Sequence, residues 1–343
     1  MDSQFVLIAN AKDGTISTFE HSGGDLKPLA VSEVGAPGMP LAVDPANNLV
    51  FAGGSDPQGV TVLRLDRASG ELEVLGRYET RGVPSYLTLS SDAGLLFSAS
   101  YHQGLGEVFR VGDAGALSPV GEPLEYRNLH CVQLSSDDNF AYFVSLRDDL
   151  VAQYAVAPDG ELTPLDPPTV SAPPGSGPRH LILNPAETSA YLTTEYAGVA
   201  LHYRRDPVSG LLDKATWATA IPTDRGLSHS RFGADPRAED LIWCSDLHLS
   251  GSGRLLYVAE RTRGTITAVE VAAETGELGE ALATSDVVTQ PRGFRVLDND
   301  DLLVASELDR VVAVYRADAD GALTEVARHQ IGLGANWIEV VRR

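Results

Sequence analysis

The chain has 343 residues, of which 43% are hydrophobic, and its formal net charge is −21 with a sequence pI of about 4.6. Because so acidic a protein offers no basic stripe for a phosphate backbone, the composition excludes nucleic acid as a partner. No run of 18 apolar residues occurs and the N-terminal sequence lacks a signal-peptide pattern, so we expect no membrane partner and a cytoplasmic location.

The predicted elements are copies of one hairpin, in which an apolar strand, a polar turn and a second apolar strand precede a turn of the "DGEL" type. Successive copies begin near residues 39, 84, 130, 178, 244 and 291, with a period of about 45 residues. The interval is longer only where residues 213–243 are predicted to form an insertion. Such a period with four short strands per unit is typical of a β-propeller.

The two ends of the chain predict how the ring closes. The N-terminal segment "QFVLIANAKDGTISTFE" lacks the first strand of a repeat, and the C-terminal segment "GANWIEVV" supplies one. The sequence therefore predicts an all-β fold, a seven-bladed β-propeller formed by residues 1–343 as one domain, with one blade completed by both termini.

Charged residues are predicted to gather at one mouth of the central channel. In a propeller the first strand of each blade lines the channel and the second runs back beside it, so the start of one and the end of the other lie at the same mouth. Blades 4 to 7 place five charged or ionisable groups at these two positions: His130, Arg179, Glu195, Arg261 and Arg292. In blade 7, Arg292 takes the first position and the apolar Leu308 takes the second. Because like charges are costly to bury without a counter-charge, we expect a small anionic ligand here.

The positions next to these residues carry further polar groups. His180 and Asp246 share the next position along the first strand, and strand alternation predicts that His180 turns away from Arg179 towards a neighbouring blade. Asp246 and His248 share a strand face, where a structural pair is favoured over a metal site. Solvated charge at the rim of the mouth is expected for three residues, His102, Arg147 and Glu260. The insertion is also placed where it could overhang the mouth.

Common catalytic and cofactor motifs are absent from the sequence. The two cysteines, Cys131 and Cys244, are too few for a disulfide framework or a zinc cluster, and we expect both to be packed free thiols. Alternation also separates Cys131 from His130, which disfavours a nucleophilic pair. No P-loop, H-E-x-x-H or G-x-S-x-G pattern occurs, so the sequence predicts no cofactor and requires no metal.

Several motifs follow one another in the order and spacing of a known family: "GPRHLILNP", "TTEY", "SDLHLSGSGRLLYVAERT", "TQPRGF" and "GANWIEV". On these motifs, nearly the whole chain resembles the propeller-type 6-phosphogluconolactonase family, which also includes fungal carboxy-cis,cis-muconate cyclases. The resemblance implies a catalytic group at positions matching His130, Arg179, Glu195 and Arg261. The predicted substrate-binding residues are Arg292, His180, Asp246 and His102, the last departing from the asparagine that bacterial lactonases often carry in this segment.

The resemblance leaves three functions open, all with a small anionic ligand and none with a predicted oligomeric state. The first is hydrolysis of 6-phosphogluconolactone to 6-phosphogluconate, a step of carbohydrate metabolism in the pentose phosphate pathway. Either Glu195 or His130 is then the general base, Arg179 binds the oxyanion or carboxylate, and Arg261 with Arg292 holds anionic groups. The second is a cyclase that closes a carboxylated muconate to its lactone. The third is a non-catalytic propeller that binds a sugar acid or a protein partner at the same mouth.

Overall fold

The fold is described for residues 3–22, 24–35 and 40–342 of a computed structural model. These residues contain 28 β-strands and one short 3-10 helix at Asp113–Gly115, and the strands form seven four-stranded antiparallel sheets. Blade 1 contains β1 (Gln4–Asn10), β2 (Thr15–Ser22) and β3 (Asp25–Glu33). Blade 2 contains β4 (Leu41–Asp44), β5 (Leu49–Ser55), β6 (Gln58–Leu65) and β7 (Leu72–Tyr78). Blade 3 contains β8 (Tyr86–Leu89), β9 (Leu95–Ser100), β10 (Leu105–Val111) and β11 (Leu117–Glu125).

The remaining four blades repeat this pattern. Blade 4 contains β12 (Leu129–Leu134), β13 (Phe140–Ser145), β14 (Leu150–Val156) and β15 (Leu162–Ser171). Blade 5 contains β16 (Pro178–Leu183), β17 (Ser189–Thr194), β18 (Val199–Arg205) and β19 (Leu212–Thr219). Blade 6 contains β20 (Cys244–Leu249), β21 (Leu255–Glu260), β22 (Thr265–Val271) and β23 (Leu278–Asp286). Blade 7 contains β24 (Pro291–Val296), β25 (Leu302–Ser306), β26 (Val311–Ala317) and β27 (Leu323–Gln330), and β28 (Ala335–Arg342) returns to blade 1.

The second strand of each blade is largely apolar and is buried along almost its whole length, because both of its faces are covered by neighbouring blades. In β1, Phe5 and Leu7 pack towards blade 2, and Val6 and Ile8 pack towards blade 7. Such continuous apolar runs between turn signals are expected of strands that are buried on both sides. The outer strands are more exposed, as the mixed burial of β7 illustrates. The predicted seven-bladed propeller is confirmed by these sheets.

The glycine in the recurring "DGEL"-type turn has a steric reason. Gly210 has a φ of 74°, in the left-handed region that a residue with a Cβ atom rarely adopts. A Cβ atom at this position would also lie 2.2 Å from the ring of Phe140 in the neighbouring blade. The turn therefore packs directly against the next blade, which explains why the signal recurs in the sequence.

The ring closes through β28, which pairs with β1 so that Val340 lies opposite Val6 and Ile338 opposite Ile8. The prediction that both termini complete one blade is confirmed. The insertion, in contrast, is shorter than predicted. Residues 212–219 pair with β18 as the outer strand of blade 5, so only residues 220–243 lie outside the repeat.

Deletion of residues 335–343 is expected to destabilise the whole protein cooperatively. The deletion removes β28 and exposes apolar residues that pack against Ile338 and Val341 in the contacts of blade 1 with blades 2 and 7. Urea denaturation followed by circular dichroism and by tryptophan fluorescence should show one transition at a lower midpoint than the wild type. A truncated protein that unfolds at the wild-type midpoint would contradict the closure.

Candidate active site

A cavity of about 370 Å³ lies at the channel mouth where the inner strands begin. Arg179, Arg292 and His130 are the second residues of β16, β24 and β12, and Glu195 and Arg261 follow directly after β17 and β21. The structure therefore brings together the five residues predicted at the mouth, and it adds the exposed His102 to the same wall. The remaining lining comes from blades 1 to 3 and the insertion: Pro40, Ser55, Val83, Pro84, Ser85, Tyr101, Trp243 and Asn336.

Glu195 connects two buried arginines. Its Oε2 atom lies 3.0 Å from Nε of Arg179 and 3.0 Å from Nη2 of Arg261, and both arginine side chains are 3% exposed. The Arg261 contact is a hydrogen bond, whereas Nε of Arg179 makes an ion pair without an aligned N–H. Oε1 of Glu195 has no partner in the part of the chain that the structure describes. The carboxylate therefore holds two guanidinium groups side by side in the cavity wall.

Backbone carbonyls fix the same two arginines further. Nη1 of Arg179 donates to the carbonyl of Ser245, and Arg261 donates from Nη2 to the carbonyl of Cys244 at 3.1 Å. Trp243 lies over Arg261, with the guanidinium carbon 3.8 Å from the ring centroid. Burial and the neighbouring arginines lower the pKa of Arg261 to about 9, although the charge of Glu195 opposes this shift. Arg261 is therefore charged at neutral pH and has little conformational freedom.

Arg292 has a carboxylate partner that the sequence alignment missed. Its Nη1 atom lies 3.0 Å from Oε1 of Glu307, and Gln290 donates to Oε2 of Glu307 at 2.5 Å. Burial alone would raise the pKa of Glu307, but the charge of Arg292 and these hydrogen bonds hold it below its usual value. Glu307 follows β25 as Glu195 follows β17, so the predicted mouth position Leu308 was wrong by one residue. Aligning "LLVASE" with "SAYLTTE" at their final glutamates would have found it.

The positive charge of the cavity is small once these pairs are counted. Among the residues that line the cavity, three guanidinium groups (Arg179, Arg261 and Arg292) face one carboxylate, Glu195. Two further carboxylates, Glu307 and Asp246, lie behind Arg292 and Arg179 and offset part of this charge. Arg292 is the most accessible of the three, with 35% of its side chain exposed. In a chain of net charge −21, this local excess favours an anion at the cavity.

His130 is a buried, neutral imidazole in the cavity wall. Its ring centroid lies 5.7 Å from that of Tyr101 and 5.1 Å from that of His180, and its buried Nδ1 atom has no hydrogen-bond partner in the described residues. Burial, followed by the positive charges of Arg179 and the other nearby cations, lowers the pKa of His130 well below its usual value. The imidazole can therefore accept a proton, and an anion placed among the arginines would raise its affinity for that proton.

His180 contacts a neighbouring blade, as predicted, but it also contacts Arg179, from which strand alternation was expected to separate it. Its Nε2 atom lies 3.0 Å from Nη1 of Arg179, and its Nδ1 atom lies 2.9 Å from Oδ1 of Asp246 in blade 6. Since a guanidinium group only donates, Nε2 is the acceptor and Nδ1–H donates to Asp246. The register of β16 with β17 shifts between Pro178 and Leu181, and this irregularity breaks the alternation at the mouth.

His180 and Asp246 were predicted to bind substrate, but neither lines the cavity, because both side chains lie beneath Arg179. Asp246 also lies 3.3 Å from Nε2 of His248, which agrees with a structural pair. No cluster of three metal-ligating side chains is found among the described residues. The two histidines and Asp246 therefore support the wall from below.

Glu260 and Trp243 also differ from expectation. Glu260 was expected to be a solvated rim charge but is fully buried, because its carboxylate accepts backbone N–H groups of Trp243, Thr262 and Arg263 at 2.8–3.0 Å. Trp243 ends the insertion and lines the cavity, and no repeat signal in the sequence marked it. The packed state expected for the cysteines agrees with the structure, where Cys131 and Cys244 are fully buried free thiols.

Acidification from pH 7 to pH 5 is expected to destabilise the protein. Burial, then the charge of Arg179, lowers the pKa of His180 to about 4, compared with about 6.5 for an unfolded chain. Between these values the unfolded chain binds a proton that the folded protein excludes, so the free energy of unfolding falls as the pH falls from 6.5 towards 4. Urea midpoints at pH 7 and pH 5 measure this slope.

His180→Gln removes one of the buried histidines with a lowered pKa and should reduce the pH dependence, whereas the exposed His102→Asn should retain it in full. Equal wild-type midpoints at the two pH values would show that buried histidines do not control acid stability.

Comparison with known proteins places these features in a family. A family model described as "Lactonase, 7-bladed beta-propeller" matches residues 5–340. A 6-phosphogluconolactonase of Pectobacterium carotovorum is 27% identical over 98% of this chain and 98% of its own, and one of Cronobacter sakazakii is 28% identical over 90% of this chain and 89% of its own. A solved structure of a periplasmic gluconolactonase from Pseudomonas aeruginosa, 25% identical, superposes with a TM-score of 0.86 over 99% of both chains.

Proposed function

Since the chain belongs to the lactonase family of seven-bladed β-propellers, we propose that it hydrolyses 6-phosphogluconolactone to 6-phosphogluconate. The observation that carries this proposal is one cavity that combines the neutral His130 with three arginines. Lactone hydrolysis needs a base to activate water and donors to stabilise the oxyanion, and these residues provide both. The relatives named 6-phosphogluconolactonase support the choice of substrate.

In the proposed mechanism, His130 accepts a proton from water as the hydroxide attacks the lactone carbonyl carbon. The carbonyl oxygen becomes negatively charged, and Arg179 stabilises it through Nη2, which has no partner in the described part of the chain. The tetrahedral intermediate then breaks the bond to the ring oxygen, which takes the proton from His130. The carboxylic acid that forms releases its proton to solvent, so the product carries a carboxylate beside Arg179 and Arg292 and a free hydroxyl group.

We assign the general base to His130 because of how Glu195 is held. Oε2 of Glu195 contacts two guanidinium groups, and these contacts favour a role in orienting Arg179 and Arg261. The imidazole of His130 lies in the same wall and makes no hydrogen bond among the described residues. Because its Nδ1 atom is buried, we assign Nε2 as the atom that accepts the proton. Bound substrate would offset the arginine charges that lower its pKa, and the imidazole would become a better base when it is needed.

The function is tested by incubating the purified protein with 6-phosphogluconolactone and with a carboxylated muconate. Acid release from the lactone above the spontaneous rate is expected, without loss of the diene absorbance of the muconate. Loss of diene absorbance without lactone hydrolysis would identify a cyclase. Binding of 6-phosphogluconate without turnover of either substrate would identify a non-catalytic propeller.

A cytoplasmic location and a role in the pentose phosphate pathway remain predictions. In residues 3–22, 24–35 and 40–342, no helix is long and apolar enough to cross a membrane. Cell fractionation tests the location independently of activity.

A further inference from the structure

A second, shallower cavity of about 520 Å³ adjoins the active-site cavity over blades 3 and 4. His102 lines both cavities, so the two lie next to each other at the mouth. Arg127 and Arg147 lie in the outer cavity. Arg127 is already paired with Asp148, with Nε 2.5 Å from Oδ1, so it offers little charge to a ligand.

Arg147 is the uncommitted cation of this outer cavity. Leu146 follows β13 as Glu195 follows β17, so Arg147 lies one residue further out from the mouth position. Its guanidinium carbon lies 4.3 Å from the ring centroid of Phe232 in the insertion. This cation–π contact orients the group while leaving its N–H edges free. Among the described residues, no carboxylate pairs with Arg147.

The charge of the inner cavity limits what it can bind. Hydrolysis of a lactone creates a carboxylate at the inner cavity, where Glu195, Glu307 and Asp246 already offset much of the charge of the arginines. A phosphate group adds about 1.5 to 2 further negative charges near neutral pH. Arg147 and His102 line the adjoining outer cavity and supply further donors for this group. The outer cavity also contains two carboxylates, Asp148, which pairs with Arg127, and Glu125.

We propose that Arg147 and His102 hold the phosphate group of the substrate in a phosphate subsite, so that these two residues determine the preference for a phosphorylated over an unphosphorylated sugar lactone. The proposal rests on the lactonase function proposed above and assigns the residues that recognise the phosphate group. In this subsite Arg147, held against Phe232, donates to two phosphate oxygens, and a ring N–H of His102 donates to a third. The insertion thereby contributes to specificity through Phe232.

Steady-state kinetics with phosphorylated and unphosphorylated gluconolactone test the subsite. Arg147→Ala should raise KM for 6-phosphogluconolactone about 10- to 100-fold with kcat retained, since one charge-assisted contact is lost. Its KM for unphosphorylated gluconolactone should not change. Phe232→Leu should raise KM for the phosphorylated substrate about 2- to 5-fold, because it removes only the stacking face. The matched control is Arg254→Ala, which removes an exposed arginine from the β20–β21 turn at the other end of blade 6.

Titration with 6-phosphogluconate and with gluconate keeps failure of the subsite separate from failure of the lactonase function. Wild type should bind 6-phosphogluconate more tightly than gluconate, and Arg147→Ala should lose that preference whether or not the protein turns over a lactone. Equal effects of Arg147→Ala on both ligands, or no effect on either, would overturn the subsite. Absence of turnover in the wild type with the binding preference intact would overturn only the catalytic proposal.

Discussion

His130→Gln should lower kcat for 6-phosphogluconolactone by about 100- to 10,000-fold with KM nearly unchanged, since it removes the proposed general base. Glutamine keeps a polar group of similar reach in the buried wall but cannot accept a proton from water. Rates of acid release at saturating substrate, corrected for spontaneous hydrolysis, measure the loss. In the wild type, the acid limb of kcat/KM should lie below pH 6.5, because burial and the arginines lower the pKa of His130.

Comparison with Glu195→Gln distinguishes the two candidate bases. If His130→Gln retains turnover while Glu195→Gln loses it with unchanged KM and unchanged stability, Glu195 is the base. If His130→Gln loses turnover, and Arg179 and Arg261 are displaced in Glu195→Gln, then His130 is the base and Glu195 orients the two arginines.

Glu195→Gln should also lower the free energy of unfolding by about 3 kcal/mol, because it leaves two buried guanidinium groups without their shared counter-charge. An amide can accept a hydrogen bond from one arginine but supplies no negative charge. Urea denaturation at pH 7 measures the change.

The matched control for that experiment is Glu122→Gln, which removes one partner of the exposed ion pair between Arg81 and Glu122. We expect its urea midpoint to equal that of the wild type, since exposed pairs contribute little. A Glu195→Gln protein as stable as this control would show that Glu195 does not hold the two arginines together.

The repeated hairpin explains why the fold and much of the mouth were predictable from sequence. Each repeat fixes where its inner strand begins, so residues at equivalent positions, such as Arg179 and Arg292, must lie at the same level of the channel. The missing first strand in the N-terminal repeat likewise required β28 to complete blade 1. These conclusions depend on which residues are equivalent from one repeat to the next, and the pattern of apolar residues determines that alignment.

Features outside that regular pattern were not predictable in the same way. Strand alternation failed for His180 because the inner strand changes register beside the mouth. The direction of the Glu260 carboxylate depends on backbone N–H groups in the following turn and in the insertion. Trp243 and Phe232 lie in the insertion, where no repeat gives a register, so their contacts with Arg261 and Arg147 are visible only in three dimensions.

The central claim is that this mouth of the channel binds and hydrolyses the lactone, and a crystal structure with bound 6-phosphogluconate tests its location most directly. We predict that the carboxylate lies within hydrogen-bond distance of Nη2 of Arg179, and that the phosphate lies beside Arg147. The opposite end of the channel provides the alternative, a cavity of about 520 Å³ that includes Arg295 and Trp337. Density for 6-phosphogluconate in that cavity, with the cavity beside Arg179 empty, would contradict this claim.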